Sequence, residues 1–176
     1  SGLNVGGHPS AGEAAAVIPD PQGILGMDFL IIGNSTYGTP GGLYMSRYNV
    51  TTNSLTSLTN LLGEGSINEG LEVIPHSNGE DYWVLVNTSD QKLKSFLFSK
   101  TTGFNPSAIS STDVSDLPGV DPNSVATNSH ISWDPNSPGK ILVSRHNKIG
   151  LVNFNPSTGT IGEWNVQIMV TTGNAD

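Results

Sequence analysis

The sequence contains no cysteine, which excludes a disulfide-stapled scaffold and thiolate-ligated metals together and leaves the redox compartment open. Basic residues are scarce: 7 Lys plus Arg stand against 15 Asp plus Glu, for a net charge of -8. Such a surface repels a nucleic-acid backbone, so neither DNA nor RNA is expected as a partner. No apolar run is long enough to span a bilayer, and no signal peptide stands at Ser1, so membrane insertion is not expected. Helix formers are scarce too, since the alanine run within Gly12 to Val17 is too short to propagate a helix alone.

What the chain does have is turns. Its 21 Gly and 11 Pro, with abundant Ser, Thr and Asn, interrupt the sequence roughly every eight to twelve residues, the punctuation of an all-β protein. With only 12% charged residues, solubility rests on neutral polar groups, as in secreted bacterial or virion surface proteins. At 176 residues the chain is long enough to bury a core, and nothing in its composition divides it into unrelated domains.

The stretch Ile74 to Val86 organises the rest. An apolar end, a polar turn on Asn78-Gly79 and an aromatic, β-branched run from Tyr82 read as strand, tight turn, strand. Weaker versions run from Val17 through Asp28 into Phe29 to Ile32, and from Ile131 through Gly139 into Ile141 to Val143. Each hairpin is followed by an alternating strand, Gly42 to Val50, Leu93 to Phe98 or Ile149 to Phe154. Each of these ends in Thr51-Thr52-Asn53, Thr101-Thr102-Gly103 or Ser157-Thr158-Gly159. A fourth strand is expected in Leu55 to Leu62, Ser107 to Ser111 and Trp164 to Val170. The fold expected is therefore all-β and β-propeller-like, about three four-stranded antiparallel blades within a single domain over 1–176. The repeat units fall at approximately 13–64, 65–112 and 113–170. Three blades are fewer than the four to eight that usually close a ring, so a piece of a longer protein is expected.

Several motifs carry a family resemblance. They are Gly2-Leu3 with Gly6 and Ser10, Val17-Ile18-Pro19-Asp20-Pro21, Gly42-Leu43-Tyr44-Met45-Ser46 and, above all, His76-Ser77-Asn78-Gly79-Glu80-Asp81-Tyr82-Trp83-Val84. The chain resembles propeller-type segments of Bacteroidetes surface proteins, the kind that carry a gliding-motility-associated or type IX secretion sorting domain. Where such segments commonly have a His after the Trp-Val strand, Asn87 stands near that place. The resemblance implies a fold and a secreted or cell-surface location rather than catalytic residues.

Candidate sites follow from residue chemistry. Exposed indoles stack on sugar rings, which singles out Trp133 and Trp164, whereas Trp83 sits inside an apolar run and reads as core. Tyr37, in the Gly-rich stretch Gly33 to Gly42, is the best candidate for an exposed ring. Calcium prefers several oxygen ligands from one compact loop, and Asp113, Asp116, Asp121 and Asn123 supply them, though without the EF-hand spacing. Asx-turn hydrogen bonding explains the acids that precede Pro and Gly without an ion. His130 and His146 flank a hairpin that contains Asp134, with no zinc spacing. Glu64, Glu69 and Glu72, around Gly65 and Gly70, are the least turn-like acids and read as a solvated connection between blades. There is no GxSxG elbow, P-loop or dinucleotide fingerprint.

The expectation is a non-catalytic extracellular interaction module. It presents the connections Gly33 to Gly42, Ala108 to Ser129 and Asn136 to Lys140 to a glycan or to other protein chains. A glycan-active enzyme, or its accessory domain, is the alternative. A phage or virion structural protein is a third.

Overall fold

The computed structural model describes residues 15–23, 28–34, 41–115, 129–145 and 148–169. Among them are thirteen strands and no helix. Strands β1 (Ala15–Pro19), β2 (Phe29–Asn34), β3 (Gly41–Asn49), β4 (Ser54–Leu55), β5 (Thr59–Pro75), β6 (Tyr82–Thr88), β7 (Lys92–Ser99), β8 (Gly103–Phe104) and β9 (Ser110–Asp113) form one antiparallel sheet. Strands β10 (Ser129–Trp133), β11 (Lys140–Arg145), β12 (Lys148–Asn155) and β13 (Thr160–Met169) form a second. The expected all-β class is the one observed.

The first sheet holds two of the repeat units because they share a strand. The N-terminal part of β5 pairs with β3, with Leu43 opposite Leu62 and Met45 opposite Thr59. Its C-terminal part pairs with β6, from Leu71 opposite Val86 to Pro75 opposite Tyr82. Between these parts the backbone turns through Gly65 (φ 80) and Gly70 (φ 100), a left-handed conformation that a side chain would strain. The unit boundary drawn at 64/65 therefore falls inside a strand. Unit one is β1, β2, β3 and the start of β5; unit two is the rest of β5 with β6, β7 and β9; unit three is β10 to β13.

Packing explains why β6 has no polar face. Val84 and Val86 join a core cluster with Ile18, Leu30, Ile32 and Leu43 of unit one. The alternate residues, Trp83 and Leu85, join a second cluster with Ile131, Ile141, Val143 and Val152 of unit three. Unit two is thus the middle layer, buried on both faces, and successive side chains of β6 serve opposite clusters because a strand alternates with period two. Each such side chain contributes about 1.5–3 kcal/mol on burial. Trp83 is core, as its apolar context indicates, and its Nε1 donates to the Pro156 carbonyl of unit three at 2.8 Å.

Turn chemistry repeats with the units. The hairpins after β3, β7 and β12 place Asn53 (φ 50), Gly103 (φ 76) and Gly159 (φ 71) in the left-handed region. Side-chain oxygens cap these turns: Asn49 Oδ1 accepts from Thr52 N at 2.7 Å, and Asn155 Oδ1 accepts from Ser157 N at 2.9 Å. The Asn78-Gly79 hairpin is a six-residue connection rather than a two-residue turn. Asn78 Oδ1 accepts from the backbone amides of both Glu80 and Asp81, and Gly79 adopts φ 74.

Candidate binding site at the bulged end of the sheets

The hairpins capped in this way lie at one end of the stack. At the other end, β5 starts its pairing with β6, β6 finishes, and β10 and β12 begin. The strand ends flanking residues 35–40, 116–128 and 146–147 are also here. Ile67 pairs with Thr88 and Leu71 with Val86, so four residues of β5 advance against two of β6, and Asn68, Glu69 and Gly70 bulge out of the ladder. A bulge re-aims side chains, and here it turns polar ones inward. Asn68, Glu69, Asn87, Thr88 and Ser129 are all buried, and among the described residues the other buried polar side chains that lie away from this end of the sheets are Ser46 and Ser95.

The cluster joins unit two to unit three. Asn87 Nδ2 donates to Ser129 Oγ at 2.8 Å, and Ser129 Oγ donates to the Glu69 carbonyl. Asn68 Nδ2 donates to the Thr88 carbonyl at 3.1 Å. A β-carbon at position 70 would lie 2.8 Å from both Asn87 Nδ2 and Ser129 Oγ, so only glycine admits this approach. Asn87 Oδ1 is buried and has no hydrogen-bond partner among the described residues. An acceptor kept from both water and protein partners costs about 1–3 kcal/mol, and native structures keep few of them.

Glu72 sits two residues beyond the bulge and faces β10. Its Oε1 accepts from Val73 N at 3.0 Å and its Oε2 from Trp133 N at 3.3 Å. Burial pushes its carboxyl above the usual carboxylate range, against the opposing pull of those two amides and of His130. Lys148, buried at the start of β12, lies 6.0 Å from the Trp164 ring centroid, a cation–π distance.

The residues singled out from sequence are distributed around this framework. Trp133 and Trp164 both pack against the second core cluster, half-buried at the two ends of one cross-strand row with Ile141 and Val152 between them. Trp133 Nε1 donates to the Pro138 carbonyl at 3.2 Å, and the buried Trp164 Nε1 has no partner among the described residues. Both indoles are thus occupied by packing between units rather than laid open as platforms. Tyr37, Asp116, Asp121, Asn123 and His146 lie outside the described residues. Asp113, the described member of the calcium set, ends β9, and its Oδ1 accepts from Ser115 N at 2.7 Å in an Asx turn. No three of the described His, Asp and Glu residues gather as a metal group. Of the three expected ligand connections, Asn136 to Lys140 is a turn at the opposite end. The other two, Gly33 to Gly42 and Ala108 to Ser129, join strands at the bulged end. Sequence reasoning passed over Asn68, Asn87 and Ser129 as site residues, and read Glu69 as solvated where it is buried. Gly70 within a strand was the available signal.

Neither a protein-family model nor a curated protein sequence matches the chain. Solved structures do. The periplasmic gluconolactonase of Pseudomonas aeruginosa is 13% identical with a TM-score of 0.52, over 93% of this chain and 42% of that one. An auxiliary nutrient binding protein from Bacteroides ovatus is 18% identical with a TM-score of 0.49, over 95% of this chain and 35% of that one. The chain therefore spans less than half the length of these structures. At such identity the gluconolactonase likeness bears on fold alone, and it identifies the stacked antiparallel units as propeller-like.

Proposed function

We propose that this chain is a non-catalytic binding module of an exported bacterial surface or periplasmic protein, of the kind its motifs resemble, and that it takes a small polar ligand or glycan at the bulged end. The observation that carries this reading is the buried polar cluster on the β5 bulge, with the Asn87 acceptor unpartnered beside Ser129 and Glu69. Polar groups held inside an otherwise apolar stack suit a ligand that supplies the missing donor. The acid with the raised pKa, Glu72, is engaged by the backbone amides of its own strand and of β10, which favours a binding role over an acid–base one. The test is a glycan array probed with the wild-type chain and with Asn87→Ala, in calcium and in EDTA. Saturable binding lost in the variant supports the site. EDTA sensitivity would add a calcium ion from the Asp113 to Asn123 stretch. If no bound glycan is weakened by Asn87→Ala, the bulged end is removed from consideration.

A further inference from the structure

We propose that a second site lies between units one and two at the opposite end of the stack, a cleft above Arg47 that binds a neutral, hydroxyl-bearing ligand with one apolar face, the chemistry of a pyranose ring. The cavity there has a volume of about 340 Å³, at the small end of the range for ligand pockets and sufficient for about one sugar ring. Its floor is polar and fixed. Arg47 Nε donates to Asp20 Oδ2 at 2.8 Å, its Nη2 donates to Gln22 Oε1 at 2.5 Å, and Asp20 Oδ1 accepts from Gln22 N at 3.0 Å. The Asp20 side chain is 0% exposed and that of Arg47 14%. A guanidinium carries five N–H donors. Two are engaged in these bonds, so three remain without a partner among the described residues, and the buried carboxylate fixes their orientation.

The charge balance decides the ligand class. With Asp20 beside it, the guanidinium offers directed donors and almost no net positive charge. A hydroxyl or ring oxygen accepts such donors at no electrostatic cost, whereas a carboxylate would meet the Asp20 charge beneath. The walls supply the apolar face. The partly buried Leu61 and Phe104 face the cleft over the buried Phe98 and Met45, and the Phe104 ring is held by stacking on Phe96 with centroids 5.6 Å apart and planes 28° apart. Aromatic rings of this kind pack against the C–H face of a sugar while fixed donors take its hydroxyls. Asn60, exposed on the rim, adds an amide.

This inference rests on the reading of the chain as a binding module, but not on the Asn87 cluster. The experiment is a heteronuclear NMR titration of the full chain with neutral methyl pyranosides, neutral oligosaccharides and glucuronate, repeated on Phe104→Ala, Asn60→Ala and Asn87→Ala. Circular dichroism confirms that each variant is folded. The expected result is shifts at Gly103 and Phe104 with neutral sugars, affinity at least about tenfold weaker in Phe104→Ala, and no gain for glucuronate. Binding that persists in Phe104→Ala and Asn60→Ala but disappears in Asn87→Ala overturns the cleft and leaves the bulged-end reading intact. Tenfold tighter binding of glucuronate overturns the neutral class. Absence of binding by every saccharide overturns the cleft, whatever the array shows at the other end.

Discussion

The indole of Trp83 lies against the backbone of Gly159, so closely that a β-carbon there would sit 2.6 Å from ring atom Cη2 and 2.7 Å from Cε3. Gly159 also adopts φ 71, and its carbonyl accepts from Ser95 Oγ at 2.7 Å. One glycine therefore serves a turn and the contact between units two and three at once. Gly159→Ala is expected to cost about 2–4 kcal/mol, from left-handed strain together with overpacking. Gly23→Ala, at φ 56 with open space around the position, should cost only the strain, about 1 kcal/mol. Urea denaturation of both variants separates the contributions, and equal costs would show that the Trp83 contact contributes nothing.

Asp20 and Arg47 form a buried ion pair, unlike Glu80 and Lys100, whose side chains are 59% and 48% exposed. Asp20→Asn leaves the guanidinium uncompensated in a low-dielectric site and is expected to cost about 3 kcal/mol. Glu80→Gln should change stability by less than about 1 kcal/mol. Chemical denaturation of the two single variants checks the contrast.

Gly70→Ala pushes a methyl group against Asn87 and Ser129 in a strand held at φ 100. The expected outcome is a loss of about 2 kcal/mol in stability, together with at least tenfold weaker binding at the bulged end. Stability that falls while affinity holds would separate the bulge from the site.

Glu72 gives the pH dependence a sign. Burial raises its folded-state pKa above the ordinary 4.5, so the folded protein holds this proton more tightly than the unfolded chain does. Its contribution to stability is thus complete below about pH 4.5 and is lost as pH rises through the raised value. Asp81 and Asp90 act in the opposite direction. Burial raises them too, but the Lys100 amide with the Asn78 amide at Asp81, and Lys94 with Thr88 at Asp90, outweigh it and leave both lowered. Their contribution is lost as pH falls below about 3.8. Urea titrations of wild type and Glu72→Gln between about pH 4 and 7 isolate the Glu72 effect, because the two aspartates are common to both proteins. The variant should gain relative stability as pH rises, and a flat difference curve would contradict the assignment.

The sequence made the strands legible because side-chain type and position agree there. Trp83 to Val86 is continuously apolar, and a strand buried on both faces requires that; the left-handed Asn53, Gly103 and Gly159 mark the same turn in each unit. The passage of β5 from one unit to the next was not legible, since alternation reports which face a residue serves and not which sheet its partner belongs to. The site was hidden for a related reason. Asn68, Glu69, Asn87 and Ser129 are residue types that populate solvated turns, and the bulge at Gly70, between the Ile67–Thr88 and Leu71–Val86 pairs, carries them inside. Trp133 and Trp164 were conspicuous as aromatics, but their rings lie on the inner face of β10 to β13, where the second core cluster uses them.

The most direct test of the account follows the side-chain amide of Asn87 by NMR while a library of oligosaccharides and small polar metabolites is titrated into the full chain. A binder at the bulged end is expected to shift the Asn87 Nδ2 resonances together with the backbone amides of Gly70 and Ser129, and Asn87→Ala to abolish its binding. A library whose binders all leave these three resonances unmoved, including every binder that also leaves Gly103 and Phe104 of the Arg47 cleft unmoved, would contradict the bulged-end site.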